Sequence, residues 1–244
     1  MADGLRVAVA VLAAGLGFAG GARADDGPTA ANPISFTFDV GAASDYEYRG
    51  ISQTDNKPEV FGGVDATILG IGYAGVWVSN VAFLNGTRLE YDLYAGVKPL
   101  LGPVTIDFGV IRYGYASQPT GPRETYTEWK VAPSMTLGPA TIGLAYFYSD
   151  RFFLADQLAG PRGKAAYYEI NGSLPIGKTP YSLSGAIGHQ DVVGPLDYNT
   201  WNIGLGYAVN SHFGFDLRYW DTDRHKFGDI FKSKLVLGAK LTFP

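Results

Sequence analysis

The chain has 244 residues, 46% of them hydrophobic and 17% charged, with a mean hydropathy of +0.02. It is too apolar for a disordered chain and too polar for a bundle of membrane helices. There is no cysteine, which excludes disulfides, zinc–thiolate sites and thiol nucleophiles, and the net charge of −4 disfavours a nucleic-acid partner.

Met1 to Asp25 has the layout of an export signal. Arg6 marks a short basic region, Val7 to Ala19 is apolar, and Ala22-Arg23-Ala24 offers a small-x-small cleavage site. The spacing predicts a signal peptide over 1–24, a short periplasmic segment over 25–33 and one barrel over 34–244. From Ile34 onward the pattern has a period of two. Ile34, Phe36, Phe38, Val40, Ala42, Tyr46 and Tyr48 share one face, and Ser35, Thr37, Asp39, Asp45, Glu47 and Arg49 share the other. The pattern predicts strands over 34–49, 59–68, 71–82, 88–98, 104–115, 124–136, 141–148, 165–174, 181–189, 200–208, 213–220 and 230–243. Strand 71–82 is apolar on both faces. Strand 104–115 slips phase near Ile111, as a bulge would make it. Pro133 sits inside strand 124–136, where it cannot donate to a ladder.

No helix is expected between the strands, so they form an antiparallel meander. The links alternate in length. Those at 50–58, 83–87, 116–123, 149–164, 190–199 and 221–229 are long; those at 69–70, 99–103, 137–140, 175–180 and 209–212 are short. Aromatics gather near strand ends, as Phe36, Phe38, Phe213, Phe215 and Phe243 do toward one rim and Tyr46, Tyr48, Tyr146, Tyr148, Trp201 and Tyr219 toward the other. Short turns, long loops and two aromatic girdles predict an all-β, membrane-spanning, up-and-down barrel of twelve strands in the bacterial outer membrane. Its short turns would be periplasmic and its long loops extracellular. The last strand alternates Leu235, Leu237, Ala239, Leu241 and Phe243 with polar or small residues, which resembles the terminal signature read by barrel-assembly machinery. A soluble sandwich or lipocalin-like barrel also alternates, but twelve meandering strands exceed a lipocalin's eight.

The run Ser44-Asp45-Tyr46-Glu47-Tyr48-Arg49-Gly50-Ile51-Ser52-Gln53-Thr54-Asp55-Asn56-Lys57-Pro58 closely resembles the opening of the TorF family of proteobacterial porins. Looser matches lie at 73–81, at 90–96, at 110–115 and at Tyr148-Ser149-Asp150. The resemblance implies a porin-type barrel with no settled substrate and no catalytic residues.

Motifs for catalysis are weak. Two GxGxxG matches, at 15–20 and 70–75, lack the strand–turn–helix setting of a dinucleotide site, and no cofactor is expected. His189 continues a lipid-facing row, His212 lies in a short turn and His225 in a charged loop. Asp221, Asp223 and Asp229 lack a full calcium-loop spacing and read as a solvated rim, or one bridged to lipopolysaccharide through cations.

The inward charges are the strongest lead. The expected lumen carboxylates are Asp39, Asp45, Glu47, Glu59, Asp65, Glu90, Asp92, Asp107, Glu124, Glu128, Glu169 and Asp216; the expected bases are Arg49, Arg88, Lys98, Lys130, Arg218, Lys232, Lys234 and Lys240. Such a lumen predicts a porin-like channel for small polar or ionic solutes, set in outer-membrane lipid and lipopolysaccharide, with a modest cation preference. Two rivals are a barrel hydrolase or lipid-modifying enzyme and a non-conducting structural or adhesive barrel. Ion pairs Asp45–Lys232 and Asp39–Lys240 are expected at the seam between the first and last strands. Link 149–164, with Phe152, Phe153, Leu154 and Leu158, is expected to narrow the pore.

Overall fold

Alternation with no intervening helix leaves each strand's backbone groups to be satisfied by its neighbours, and the sheet does this by closing on itself. The structure, a computed structural model, describes residues 33–116, 125–153, 163–192 and 196–244. The signal-peptide reading, Glu124, Leu154 and Leu158 lie outside them. Twelve antiparallel strands build the barrel: β1 Ile34–Ala43, β2 Glu59–Ile68, β3 Gly72–Asn80, β4 Leu89–Val97, β5 Val104–Ala116, β6 Tyr126–Leu137, β7 Ala140–Ser149, β8 Ala165–Pro175, β9 Tyr181–Val192, β10 Tyr198–Ala208, β11 Phe213–Thr222 and β12 Lys234–Phe243. Each pairs with the next in the chain, and β1 pairs with β12 (Phe38 opposite Phe243, Val40 opposite Leu241), so no barrel strand is left as a free edge.

Polarity is inverted relative to a water-soluble barrel. Along β12, Leu235 is 62% exposed, Val236 1% and Leu237 53%. Outward residues of β1, β4, β7, β10 and β12 make a continuous apolar surface, which only a lipid environment covers. Aromatics pair across strands on this surface, Tyr181 with Tyr207 at 5.0 Å and Tyr146 with Tyr168 at 5.2 Å between ring centroids. Such cross-strand pairs contribute about 0.2–1 kcal/mol each.

The structure corrects two details of the sequence reading, the end of β1 and the bulge in β5, and completes two others. Strand β1 ends at Ala43, not at 49, and Tyr46 and Tyr48 leave the lipid face for the interior. Strand β3 turns Trp77 and Ser79 inward and Val76 and Val78 outward. Strand β5 has no bulge: its register with β4 runs unbroken from Leu89–Ala116 to Val97–Phe108. Ile111 keeps the inward phase of Asp107 and Gly109 and packs on Tyr113 and Tyr126, while Arg112 points out to Thr127 Oγ1. Pro133 lies within β6, and the β6–β7 ladder is interrupted there, between Ser134–Gly143 and Val131–Tyr146.

Candidate functional site

Ala43 and Glu59 face each other across the β1–β2 ladder, so a two-residue turn would close this hairpin. The chain instead spends 44–58 folding into the barrel from the long-loop end. Ser44 still pairs with β12, its N–H donating to Leu237 O at 2.9 Å. Asp45 then accepts from Ser52 Oγ and Thr54 Oγ1, both at 2.6 Å, which folds the segment back on itself. Glu47–Tyr48 and Ile51–Ser52 form a small hairpin, whose turn residues Arg49 and Gly50 have φ of +51° and +80°. Both values suit a type I′ turn, and Gly supplies the second at no steric cost. A side chain on Gly50 would also collide with Thr200 Oγ1 and Thr222 Cγ2 of the far wall.

The hairpin tip crosses the lumen. Both Arg49 Nη atoms grip the Glu128 carboxylate, at 2.9 and 2.7 Å, and Nη1 also donates to Gln190 Oε1 at 2.8 Å. The guanidinium lies over the rings of Tyr48, Phe147 and Tyr167, at 4.7, 4.9 and 4.2 Å. Tyr46 packs edge-on against Trp77 at 5.2 Å and donates to Glu90 Oε1 at 2.8 Å. Tyr48 and Tyr113 both donate to Glu128 Oε2. Lys234 of β12 reaches Glu47 at 3.0 Å, Asp45 at 3.4 Å and Asn56 Oδ1 at 2.6 Å. Burial pushes the Glu47 carboxyl well above the usual range; Lys234 opposes this, but one ammonium here serves two carboxylates.

From above, the loop after β11 covers the hairpin. Its turn Asp229–Phe231 meets Ile51–Ser52, and Phe231 packs on Tyr198. Phe152 packs on Tyr126, and Phe153 on Tyr115 and Phe83. Among the described residues the obstruction is formed chiefly by 44–58, and Phe152 and Phe153 of link 149–164 add to its upper edge.

Below the hairpin the interior is more open. Asp39, Asp65, Lys98, Lys240, Glu169, Asn171, Ser184 and Asn202 are only partly buried. Tyr94 lies against Gly75 and donates to Asp65 at 2.7 Å. Tyr73 lies against Gly96 and donates to Asp107, which also receives Lys130 at 2.8 Å and Lys98 at 3.7 Å. Arg218 holds Asp216, Asn202 and Ser184. Glycine opposite tyrosine lets each ring lie flat on the wall.

Two residues expected inside are not there. Arg88 precedes β4 and is exposed, donating to loop carbonyls of Phe83 and Thr87. Lys232 precedes β12, because the chain first makes two short 3-10 turns; it is exposed and pairs with Asp229, while Lys234 takes the expected place beside Asp45. Asp39 lies opposite Thr242, one inward step from Lys240. The described interior holds Asp39, Asp45, Glu47, Glu59, Asp65, Glu90, Asp92, Asp107, Glu128, Glu169 and Asp216 against Arg49, Lys98, Lys130, Arg218, Lys234 and Lys240, eleven acids to six bases. Among the described residues no cluster of three or more His, Asp or Glu side chains is placed to hold a metal ion. His189 faces outward and meets Asn199 Oδ1 at 2.9 Å; His225 meets Asp221.

A family model described as a bacterial protein of unknown function, Gcw_chp, matches residues 27–237. The chain belongs to the Gcw_chp family. No curated protein matches it. Among solved structures it is similar to the KdgM porin (10% identity, 85% of this chain, 99% of that one, TM-score 0.59). It is also similar to the NanC porin (10% identity, 86% and 100%, TM-score 0.61). An outer membrane channel from Pseudomonas putida F1 matches at 9% identity, over 90% and 99% of the two chains, with a TM-score of 0.50. At such identities the likeness shows the fold, a closed twelve-stranded antiparallel barrel of the outer-membrane porin type.

Proposed function

We propose that this Gcw_chp protein is an outer-membrane channel for small polar or cationic solutes, and that its inward-folded segment sets how much it conducts. The long loops then face the cell exterior and the short turns the periplasm. One observation carries the reading: a hairpin that a two-residue turn could close instead sends 44–58 across an acid-lined lumen. A purely structural barrel gains nothing from burying Arg49, Asp45 and Glu47 there, because apolar side chains fill an interior at less desolvation cost. The fold shared with KdgM and NanC and the resemblance of 44–58 to the TorF family both support a porin role. One solved KdgM structure is described as a complex with disordered oligogalacturonate. An interior with eleven acids against six bases is poorly matched to such a polyanion and better matched to cations or neutral solutes. We read the chain as a channel rather than an enzyme: His189 points to lipid, and the residue two positions on along its face is Asp191, not a hydroxyl nucleophile.

Reversal potential in a planar bilayer under a tenfold potassium chloride gradient tests this. A weak cation-selective sign that fades with salt is expected. An anion-selective sign, or no current from the wild type and from a segment-deleted chain alike, would overturn it.

A further inference from the structure

The grip on Arg49 is built from the barrel wall and does not depend on Arg49 for its shape. Glu128 is oriented by Tyr113, whose hydroxyl donates to Oε2 at 3.1 Å. Gln190 donates its amide to Ala166 O at 3.2 Å, which leaves Oε1 facing the lumen. Tyr167 is tied to Glu169 at 2.9 Å. The result is a carboxylate fork, an amide acceptor and two ring faces converging on one planar cation. A guanidinium satisfies all of them at once: two parallel N–H groups to the carboxylate, a third to the amide, and its flat face to the rings. An ammonium has neither the fork nor the plane.

We propose that the wall pocket of Glu128, Gln190, Phe147 and Tyr167 is a receptor for guanidinium-bearing solutes, which Arg49 fills from within until a free solute competes for it. Occupation by solute displaces the hairpin tip, and with it the obstruction, so the solute opens its own path. What the segment then uncovers is acidic: Glu59, Glu90, Asp92 and Glu128 stay on the wall, with Lys234 as their one basic neighbour among the described residues on the strands flanking the segment's root. The opening step rests on the channel reading; the binding does not. A short tether holds Arg49 at an effective concentration of order millimolar, so competing solute should act in that range or above.

The test uses methylguanidinium, with methylammonium at equal concentration as the control. In folded Arg49→Ala protein, methylguanidinium should raise the melting temperature and methylammonium should not. Glu128→Gln added to Arg49→Ala should abolish the difference. In the wild type, methylguanidinium should increase trypsin cleavage after Arg49 and raise conductance. Equal effects of the two cations in either protein would overturn the receptor, as would a methylguanidinium effect that survives Glu128→Gln. If Arg49→Ala does not fold, the wild-type trypsin comparison decides alone. A melting shift without any conductance would keep the receptor and remove the channel.

Discussion

The two halves of the lumen are built differently. Toward the long loops, Tyr46, Glu47, Thr54, Glu59, Glu90, Glu128 and Gln190 are all sealed from water, and Glu90, Glu128 and Lys234 meet partners contributed by 44–58. Toward the short turns Asp39, Asp65, Lys98, Glu169 and Lys240 stay only partly buried, and the buried charges pair with one another, Lys130 with Asp107 and Arg218 with Asp216. In the upper half six acids meet two bases; in the lower half five meet four. The acid excess is therefore concentrated where the segment covers it. The upper half is an obstruction resting on acids, and the lower half is nearly balanced in charge and more open.

Breaking the upper network should have the larger effect. Glu128→Ala leaves a buried guanidinium without its counter-charge, a loss of about 3–5 kcal/mol. The segment can swing away while the twelve-strand ladder persists. The expected outcome is rapid trypsin cleavage after Arg49 in a protein that still shifts on a gel when boiled. Cleavage at the wild-type rate would mean that the grip does not hold the segment. The lower half should respond locally. Tyr94→Phe removes one hydrogen bond to the Asp65 carboxylate, worth about 1.5–3 kcal/mol, and should leave cleavage after Arg49 unchanged. A release of the segment there would show that the halves are coupled.

A smaller effect follows from pH. Burial raises the docked Glu47 carboxyl above its usual value, so the docked segment binds that proton more tightly than the released one. Docking is then firmest in acid and weakens as pH rises from the ordinary glutamate range near about 4.3. Conductance should climb along this range in the wild type and stay flat in Glu47→Gln. A fall with rising pH would reverse the sign assigned to Glu47.

The wall of the barrel was legible in the sequence, because a lipid face demands an uninterrupted apolar row, as in Leu235, Leu237 and Leu241 of β12. The segment was not, for a specific reason. Residues 44–49 continue the alternation of β1 in phase, and the inner hairpin is itself β-structure, so periodicity reads both as one strand. The signal that separates them is Arg49-Gly50 followed by Ile51-Ser52, a dipeptide suited to a tight hairpin turn. Lys232 was misplaced because 225–231 turns twice before β12 starts, and Gly228, at φ +137°, marks the break between the two turns. The partners of Arg49 come from positions 128 and 190, a pairing that no local pattern encodes.

On the proposed reading, residues 44–58 set the conductance. Because Ala43 and Glu59 already face each other, replacing the intervening residues by an Asn-Gly turn should leave the ladder intact. Single-channel recording of that chain beside the wild type is the direct test. The shortened protein should conduct several-fold more, with its reversal potential moved toward potassium. Equal conductance in a folded, heat-modifiable shortened barrel would mean that 44–58 does not limit the passage.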